Sequence, residues 1–153
     1  MGGDYMIRDA KPSDLPQILA ILEIMHEESI NSIFNRDMEK VAHFLKWLMS
    51  TDGGIILVDG DPICGVVIGM VQEMWFGYDK EAFNLPLYVL PEHRGGPYAV
   101  RLVSGYKRKA LELGAHPDAI NWINNSGITA EKTNEFIGRM GFSPIGGYFR
   151  MLH

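Results

Sequence analysis

Two apolar runs near the middle of the chain, Ile55-Ile56-Leu57-Val58 and the stretch from Ile63 to about Met74, are separated only by Asp59-Gly60-Asp61-Pro62. A connection this short cannot cross the face of a sheet, so the two strands must run antiparallel. Glycine tolerates the positive φ of a hairpin turn, and aspartate caps such a turn through its side chain. A different rule governs the second half. A strand predicted from Ala82 to Leu90 leads into a glycine-rich turn, then into apolar residues at helical spacing: Ala99, Leu102, Val103, Tyr106, Ala110 and Leu113. The next strand, Ala119-Ile120-Asn121-Trp122-Ile123, must lie parallel to its predecessor if a helical crossover joins the two in one sheet. A chain that obeys both constraints builds a mixed sheet with helices packed on it, an α/β domain.

The flanking segments extend the pattern. Tyr5-Met6-Ile7-Arg8 reads as a short first strand, and Pro12-Ser13-Asp14 opens a helix. Ser13 or Asp14 can cap it, with Pro16 in the first turn and Gln17 three residues past Asp14. Leu15, Ile18, Leu19, Leu22 and Met25 form its apolar stripe. A second helix is predicted from about Asp37 to Met49, burying Val41, Phe44, Leu45 and Leu48. Thr129 caps a fourth helix running to about Met140, and Phe142 to Leu152 closes the chain in one or two strands around Gly146-Gly147. The expected architecture is a single domain over residues 1–153, a mixed and mostly antiparallel sheet of six to seven strands flanked by four helices.

Composition removes several functional classes. With 46% hydrophobic and 22% charged residues the chain is an ordinary globular one, so disorder is excluded. No apolar run reaches the ~18 residues that cross a bilayer. The net charge of −5, with Lys107-Arg108-Lys109 the single basic cluster, argues against broad nucleic-acid binding. The lone cysteine, Cys64, sits in the apolar run Ile63-Cys64-Gly65-Val66-Val67 and reads as a small hydrophobe. The N-terminus lacks a signal pattern, which leads to the expectation of a soluble, cytoplasmic protein with no membrane partner. His26, His43 and His116 show no paired ligand spacing, so no metal site is expected.

Chemistry concentrates in Leu87-Tyr88-Val89-Leu90-Pro91-Glu92-His93-Arg94-Gly95-Gly96-Pro97-Tyr98-Ala99. Here a strand runs through a glycine-rich turn straight into a helix. The first amides of a helix have no intrahelical acceptor, and the dipole adds about half a positive charge there. Glycines let the backbone approach, so such a turn can hold a pyrophosphate, though a plain strand-to-helix turn has the same composition. Neither the Gly-Lys-Ser/Thr of a P-loop nor a G-x-G-x-x-G fingerprint is present.

This stretch resembles the GNAT N-acyltransferase motif, roughly L-x-V-x-P-x-x-(Q/R)-G-x-G-x-(G/A), at Leu87, Val89, Pro91, Arg94, Gly95 and Ala99. Ile7-Arg8-Asp9-Ala10, the central hairpin and the closing Arg139-Met140-Gly141-Phe142 resemble the family's flanks, and the element order is similar throughout. The resemblance implies acetyl-CoA as acyl donor and a primary amine, on a small molecule or peptide, as acceptor. It implies that Leu87, Tyr88 and Val89 line the pantetheine arm. Arg94, Gly95, Gly96, Tyr98, Ala99 and Val100 would hold the pyrophosphate, and an amide near Val89 or Leu90 would stabilise an oxyanion. It also implies a bulge that splays this strand from the next, and dimers are common in such folds.

Three positions depart from the family pattern. Pro97 stands where a glycine is usual and has no N–H to donate, although it suits a helix start. Ile137 aligns with the tyrosine that protonates the leaving thiolate, and Ala130 with an upstream asparagine. Tyr98, Tyr148 or His93 are the candidate substitutes for the acid, and Glu73 and Glu81 the candidates for a water-mediated base. Asn84 and Asn121 are polar strand residues placed to orient a water or the acceptor. Glu23, Glu27, Glu28, Trp47, Glu73, Trp75 and Phe76 fall on the segments that select the acceptor in this family, and carboxylates beside aromatics suit a cationic amine. The alternative reading is a noncatalytic module of the same fold that binds CoA or a protein partner, having lost the acid.

Overall fold

A computed structural model describes residues 7–153. It contains five strands, β1 (Ile7–Asp9), β2 (Gly54–Asp59), β3 (Gly65–Glu73), β4 (Lys80–Val89) and β5 (Ala115–Ile120), in the spatial order β1-β2-β3-β4-β5. The four helices are α1 (Leu15–Glu28), α2 (Met38–Ser50), α3 (Tyr98–Glu112) and α4 (Ala130–Arg139). The first three pairings are antiparallel and β4–β5 is parallel, as the tight turn and the helical crossover require. Tyr5 and Met6, expected to open the first strand, lie outside the described residues.

The central strands β2 and β3 are buried on both faces and read as continuous apolar runs for that reason. On one face α1 and α2 place Ile18, Ile21, Leu22, Leu45 and Leu48 against Ile56, Val58, Val66, Ile68 and Tyr88. On the other, α3 places Leu102, Tyr106 and Ala110 against Ile55, Leu57, Val67 and Val71. Gly69 permits the close seating of α3, because a Cβ there would lie 2.9 Å from the Tyr106 ring. Cys64 is buried and free.

Three local expectations change. Asp14 does not cap α1; its carboxylate accepts two bonds from Arg8 (2.6 and 2.8 Å) and one from the Lys11 amide at 2.7 Å. Gln17 likewise turns outward from the helix start and accepts the Ile63 amide at 3.0 Å, tying α1 to the hairpin. Thr129 does precede α4, in a left-handed conformation with φ 44°, and its hydroxyl makes no capping bond. By contrast Asp37 caps α2 as a side-chain acceptor for the amides of Glu39 and Lys40.

The expected sixth and seventh strands are absent among the described residues: Phe142 packs on Trp122, and 143–153 run without strand pairing. The neighbouring edge explains this. The β4–β5 register jumps from Lys80↔Ala115 to Ala82↔Ile120, so residues 116–119 bulge out of line, and Pro117 among them has no N–H for a ladder. An edge so bent offers a further strand little to pair with. Strand β5 also begins and ends earlier than the predicted 119–123.

Candidate active site

The site begins with a defect in β4. Pairing with β3 runs Val67↔Leu87 and then Gly69↔Asn84, so two steps on β3 face three on β4, and the extra residue falls at Leu85-Pro86. Proline suits a bulge because no ladder bond is asked of it. On the other side β4 stays with β5 only as far as the bond from the Asn121 amide to the Ala82 carbonyl, at 2.9 Å. Beyond that point the strands part. Asn84, 3% exposed, spans the opening: its Oδ1 accepts the Ile123 amide at 2.6 Å and its Nδ2 donates to the Ile123 carbonyl at 3.0 Å. From Leu85 to Val89 the outer edge of β4 then has no strand beside it among the described residues.

The alternation of an antiparallel ladder decides what that edge presents. The Leu90 amide donates to the Cys64 carbonyl at 2.9 Å, so Val66↔Tyr88 is a bonded pair while Gly65↔Val89 and Val67↔Leu87 are not. The amides and carbonyls of Leu87 and Val89 therefore point into the gap. This assigns the outward-facing amide to Val89, since that of Leu90 is consumed by β3. The edge runs on through the turn 91–97 into α3. There the first intrahelical bond is Arg101 amide to Pro97 carbonyl, leaving the amides of Tyr98, Ala99 and Val100 without helix acceptors, and no side chain caps them. Gly95 has φ 85°, and a Cβ added there would meet nothing within 4 Å, so the turn is open to a ligand.

Arg94 is the most engaged residue of the turn. Its Nε donates to the outward Val89 carbonyl at 3.0 Å, and its two terminal nitrogens grip Glu28 of α1 at 2.9 and 2.6 Å. The guanidinium lies over the Tyr88 ring, 5.0 Å from its centroid, and the Tyr88 hydroxyl donates to the same carboxylate at 2.5 Å. The bidentate Arg94 contact holds the Glu28 carboxyl down at about 2, against the opposing effect of burial. Burial first, then the adjacent carboxylate, pushes the Tyr88 phenol up to about 12. The phenol thus stays protonated and the pair stays charged. This network joins residues 66 positions apart, and no spacing in the sequence announces it.

The remaining candidates are scattered. Glu73 is exposed, opposite Lys80 at the far end of β4, five residues or roughly 17 Å from Leu85 at 3.3 Å per residue. Glu81 accepts from the Asn121 side chain at 3.3 Å, on the last paired stretch of β4 and β5. Tyr98 turns toward β3: its ring lies under Arg101, 4.9 Å away, and the neighbouring Cys64 thiol, more than the Asp59 carboxylate, raises its phenol above the ordinary tyrosine value. That is the side of β4 opposite the gap. His93 stacks edge-on with Tyr98 at 5.7 Å. Ile137 is buried in α4, and Ala130 opens that helix. Asn84 and Asn121, expected to orient a ligand, bond to Ile123 and Glu81 instead.

The expected acidic acceptor wall is already answered by arginines. Glu23 and Glu27 pair with Arg36 at 3.9 and 3.2 Å, and Glu28 with Arg94. Trp75 and Phe76 stand exposed on the β3–β4 hairpin, at the far end of β4 from the open edge. Among the described residues no group of histidine, cysteine or acidic side chains could hold a metal, and no helix is long and apolar enough to cross a membrane.

No protein-family profile and no curated protein matches the chain. Solved structures do. An integron cassette protein from the mobile metagenome of Cole Harbour Salt Marsh aligns at a TM-score of 0.78 and 17% identity, covering 99% of this chain and 92% of its own. An acetyltransferase of Trypanosoma brucei aligns at 0.72 and 16%, covering 96% and 98%. An aminoglycoside acetyltransferase from an uncultured soil metagenomic sample, solved with sisomicin, aligns at 0.69 and 14%, covering 96% and 95%.

Proposed function

We propose, from the fold that this chain shares with the GNAT acetyltransferases, that it transfers an acetyl group from acetyl-CoA to an amine. One observation carries the reading: the open edge of β4, from the bulge at Leu85-Pro86 to Val89, runs directly into the uncapped amides of α3. The residues present suit the donor. The outward amides and carbonyls of Leu87 and Val89 offer strand-like bonds to an amide-bearing arm, with Tyr88 behind them. Arg94, Gly95, Gly96, Tyr98, Ala99 and Val100 form a donor-rich turn for a pyrophosphate. Pro97 removes one amide from that turn and supplies the helical φ that starts α3.

Acetyl-CoA supplies an acyl thioester: the amine nitrogen forms the new C–N bond as the C–S bond breaks, the electron pair leaves on sulfur, and the amine proton passes to sulfur or solvent. The protein's part is positional. The Val89 amide faces the gap as a donor for negative charge developing on an acyl oxygen. Arg94 keeps its Nε on the Val89 carbonyl, whose second lone pair stays open to a ligand amide. Neither Glu73 nor Tyr98 reaches this edge, and Ile137 has no proton to give. A leaving thiol with a pKa of about 8.5 asks for little acid assistance, so turnover is expected to be modest rather than absent.

Calorimetric titration with acetyl-CoA, against CoA and ATP as controls, tests the reading. Micromolar affinity for acetyl-CoA with ATP far weaker is expected. Absence of binding at millimolar ligand would overturn it and favour a noncatalytic module that binds a protein partner, whereas tight binding without turnover would favour the noncatalytic CoA-binding form that the missing tyrosine at Ile137 motivates.

A further inference from the structure

A cavity of about 180 Å³ lies between Ile30, the segment 124–128 that follows β5, the first turns of α4, and the C-terminal segment at Tyr148 and Arg150. Its walls are pinned. The Ser126 carbonyl accepts the Ile30 amide at 2.8 Å and the Ser29 hydroxyl at 3.1 Å. The Asn124 side chain accepts from the Trp122 indole at 2.7 Å and donates to Asn134 at 2.8 Å. The space is large enough to take several waters or one polar end of a ligand.

The cavity adjoins the site already described. Ile30 is two residues beyond Glu28, which Tyr88 and Arg94 hold. Ile128 packs on the same apolar cluster as Leu85, Tyr88 and Leu90. Charge then discriminates between acceptors. No aspartate or glutamate lines the cavity, and Arg150 is its one charged lining residue. Arg150 donates a single bond, to Asn31 at 2.7 Å, and rests over the Phe34 ring at 5.6 Å. Among the described residues no carboxylate pairs with it, whereas Arg8, Arg94 and Arg101 each hold one and Arg36 holds two. A guanidinium carries five N–H donors in a planar fork that matches a carboxylate, so most of its donors remain for a ligand.

We infer that this cavity receives a carboxylate carried by the acceptor, so that the amine acetylated belongs to an amino-acid-like molecule whose carboxylate is held by Arg150. The inference rests on the acyltransferase reading and replaces the expectation of a purely cationic amine.

The test uses matched compounds that differ only at the carboxylate: an amino acid, its amide and its decarboxylated amine. With acetyl-CoA and the full chain, thiol release is expected to favour the amino acid in kcat/KM. Arg150→Gln is expected to raise KM for the amino acid about ten- to hundredfold, with kcat and the rate on the amide unchanged. Arg150→Lys should restore part of the loss. Preference for the amide or the decarboxylated amine, or an unmoved KM in Arg150→Gln, overturns the inference. Ligand-observed NMR with N-acetyl amino acids and their amides needs no turnover. Acids binding over amides, and losing that advantage in Arg150→Gln, support the cavity assignment even if acetyl-CoA fails to bind. Equal binding of acid and amide, or binding of neither, overturns the assignment while a micromolar acetyl-CoA titration leaves the acyltransferase reading standing.

Discussion

The turn into α3 is held from two sides by arginine–carboxylate pairs of similar geometry and opposite setting. On the β3 side Arg101 grips Asp59 at 2.8 and 3.2 Å, and the carboxylate is fully buried. On the gap side Arg94 grips Glu28 at 2.6 and 2.9 Å, and each side chain is about one-third exposed (33% and 34%). The first pair fastens the helix to the end of β2. The second joins the glycine turn to the end of α1, beside the open edge of β4, where water reaches it. The contrast teaches that the same two residue types can anchor a fold or tune a site. Solvent access makes the difference, because a buried charge cannot be left alone and an exposed one can.

Removing one member of each pair sharpens the comparison. Asp59→Asn should have the largest effect, about 3–5 kcal/mol of lost stability in denaturant unfolding, since it leaves Arg101 without its buried counter-charge. A loss below about 1 kcal/mol would mean that the two pairs are equivalent. Gly95→Val acts on the turn between them. At φ 85° a β-branched residue costs about 1–3 kcal/mol of strain, yet its Cβ meets open space, so the fold should survive while acetyl-CoA affinity falls by about tenfold or more. Unchanged affinity would refute the phosphate assignment. Glu28→Gln should shift stability by only about 0–1 kcal/mol. It should strengthen acetyl-CoA binding by roughly fivefold, about 1 kcal/mol, by freeing Arg94 from a carboxylate that repels phosphate. Weaker binding would instead assign the pair a positioning role.

Acid exposes the smallest difference. Glu28 and Asp14 both have carboxyls held down at about 2 by arginine, from ordinary values of 4.5 and 3.8. A depressed carboxyl stabilises the fold above its unfolded value and loses that stabilisation as pH falls through its folded one. Unfolding midpoints should therefore drop between pH about 4.5 and 2, and less steeply in Glu28→Gln. Parallel slopes for the variant and the wild type would show that the Glu28 pair adds nothing to stability.

Legibility in the sequence followed the range of the interaction. The hairpin around Gly60, the α2 cap at Asp37 and the inward face of α3 are local, and they fold much as spacing and capping rules predict, whereas of the expected α2 face Leu45 and Leu48 are buried and Phe44 is turned to solvent beside Trp47. Asp14 and Gln17 follow the same rules on paper but are taken up elsewhere, Asp14 by Arg8 and the Lys11 amide just before the helix and Gln17 by the distant Ile63 amide. The closing strands fail for a tertiary reason as well, the bulged edge of β5 at Pro117. Within the site, the strand–turn–helix stretch at Leu87–Ala99 was visible. The Glu28–Arg94–Tyr88 network, the Asn84 bridge and the Arg150 cavity were not, since each joins segments tens of residues apart.

By itself the sequence determines the alternation of strand and helix, the antiparallel hairpin, the parallel crossover and the glycine turn that opens α3, all of which follow from backbone sterics and short-range spacing. Only the tertiary structure decides which amides of β4 face the gap, which carboxylates are already neutralised, and that Arg150 meets Asn31 rather than a carboxylate among the described residues. Those outcomes depend on ladder register and on pairings across the sheet, and electrostatic and hydrogen-bond partners are chosen by proximity in space rather than along the chain.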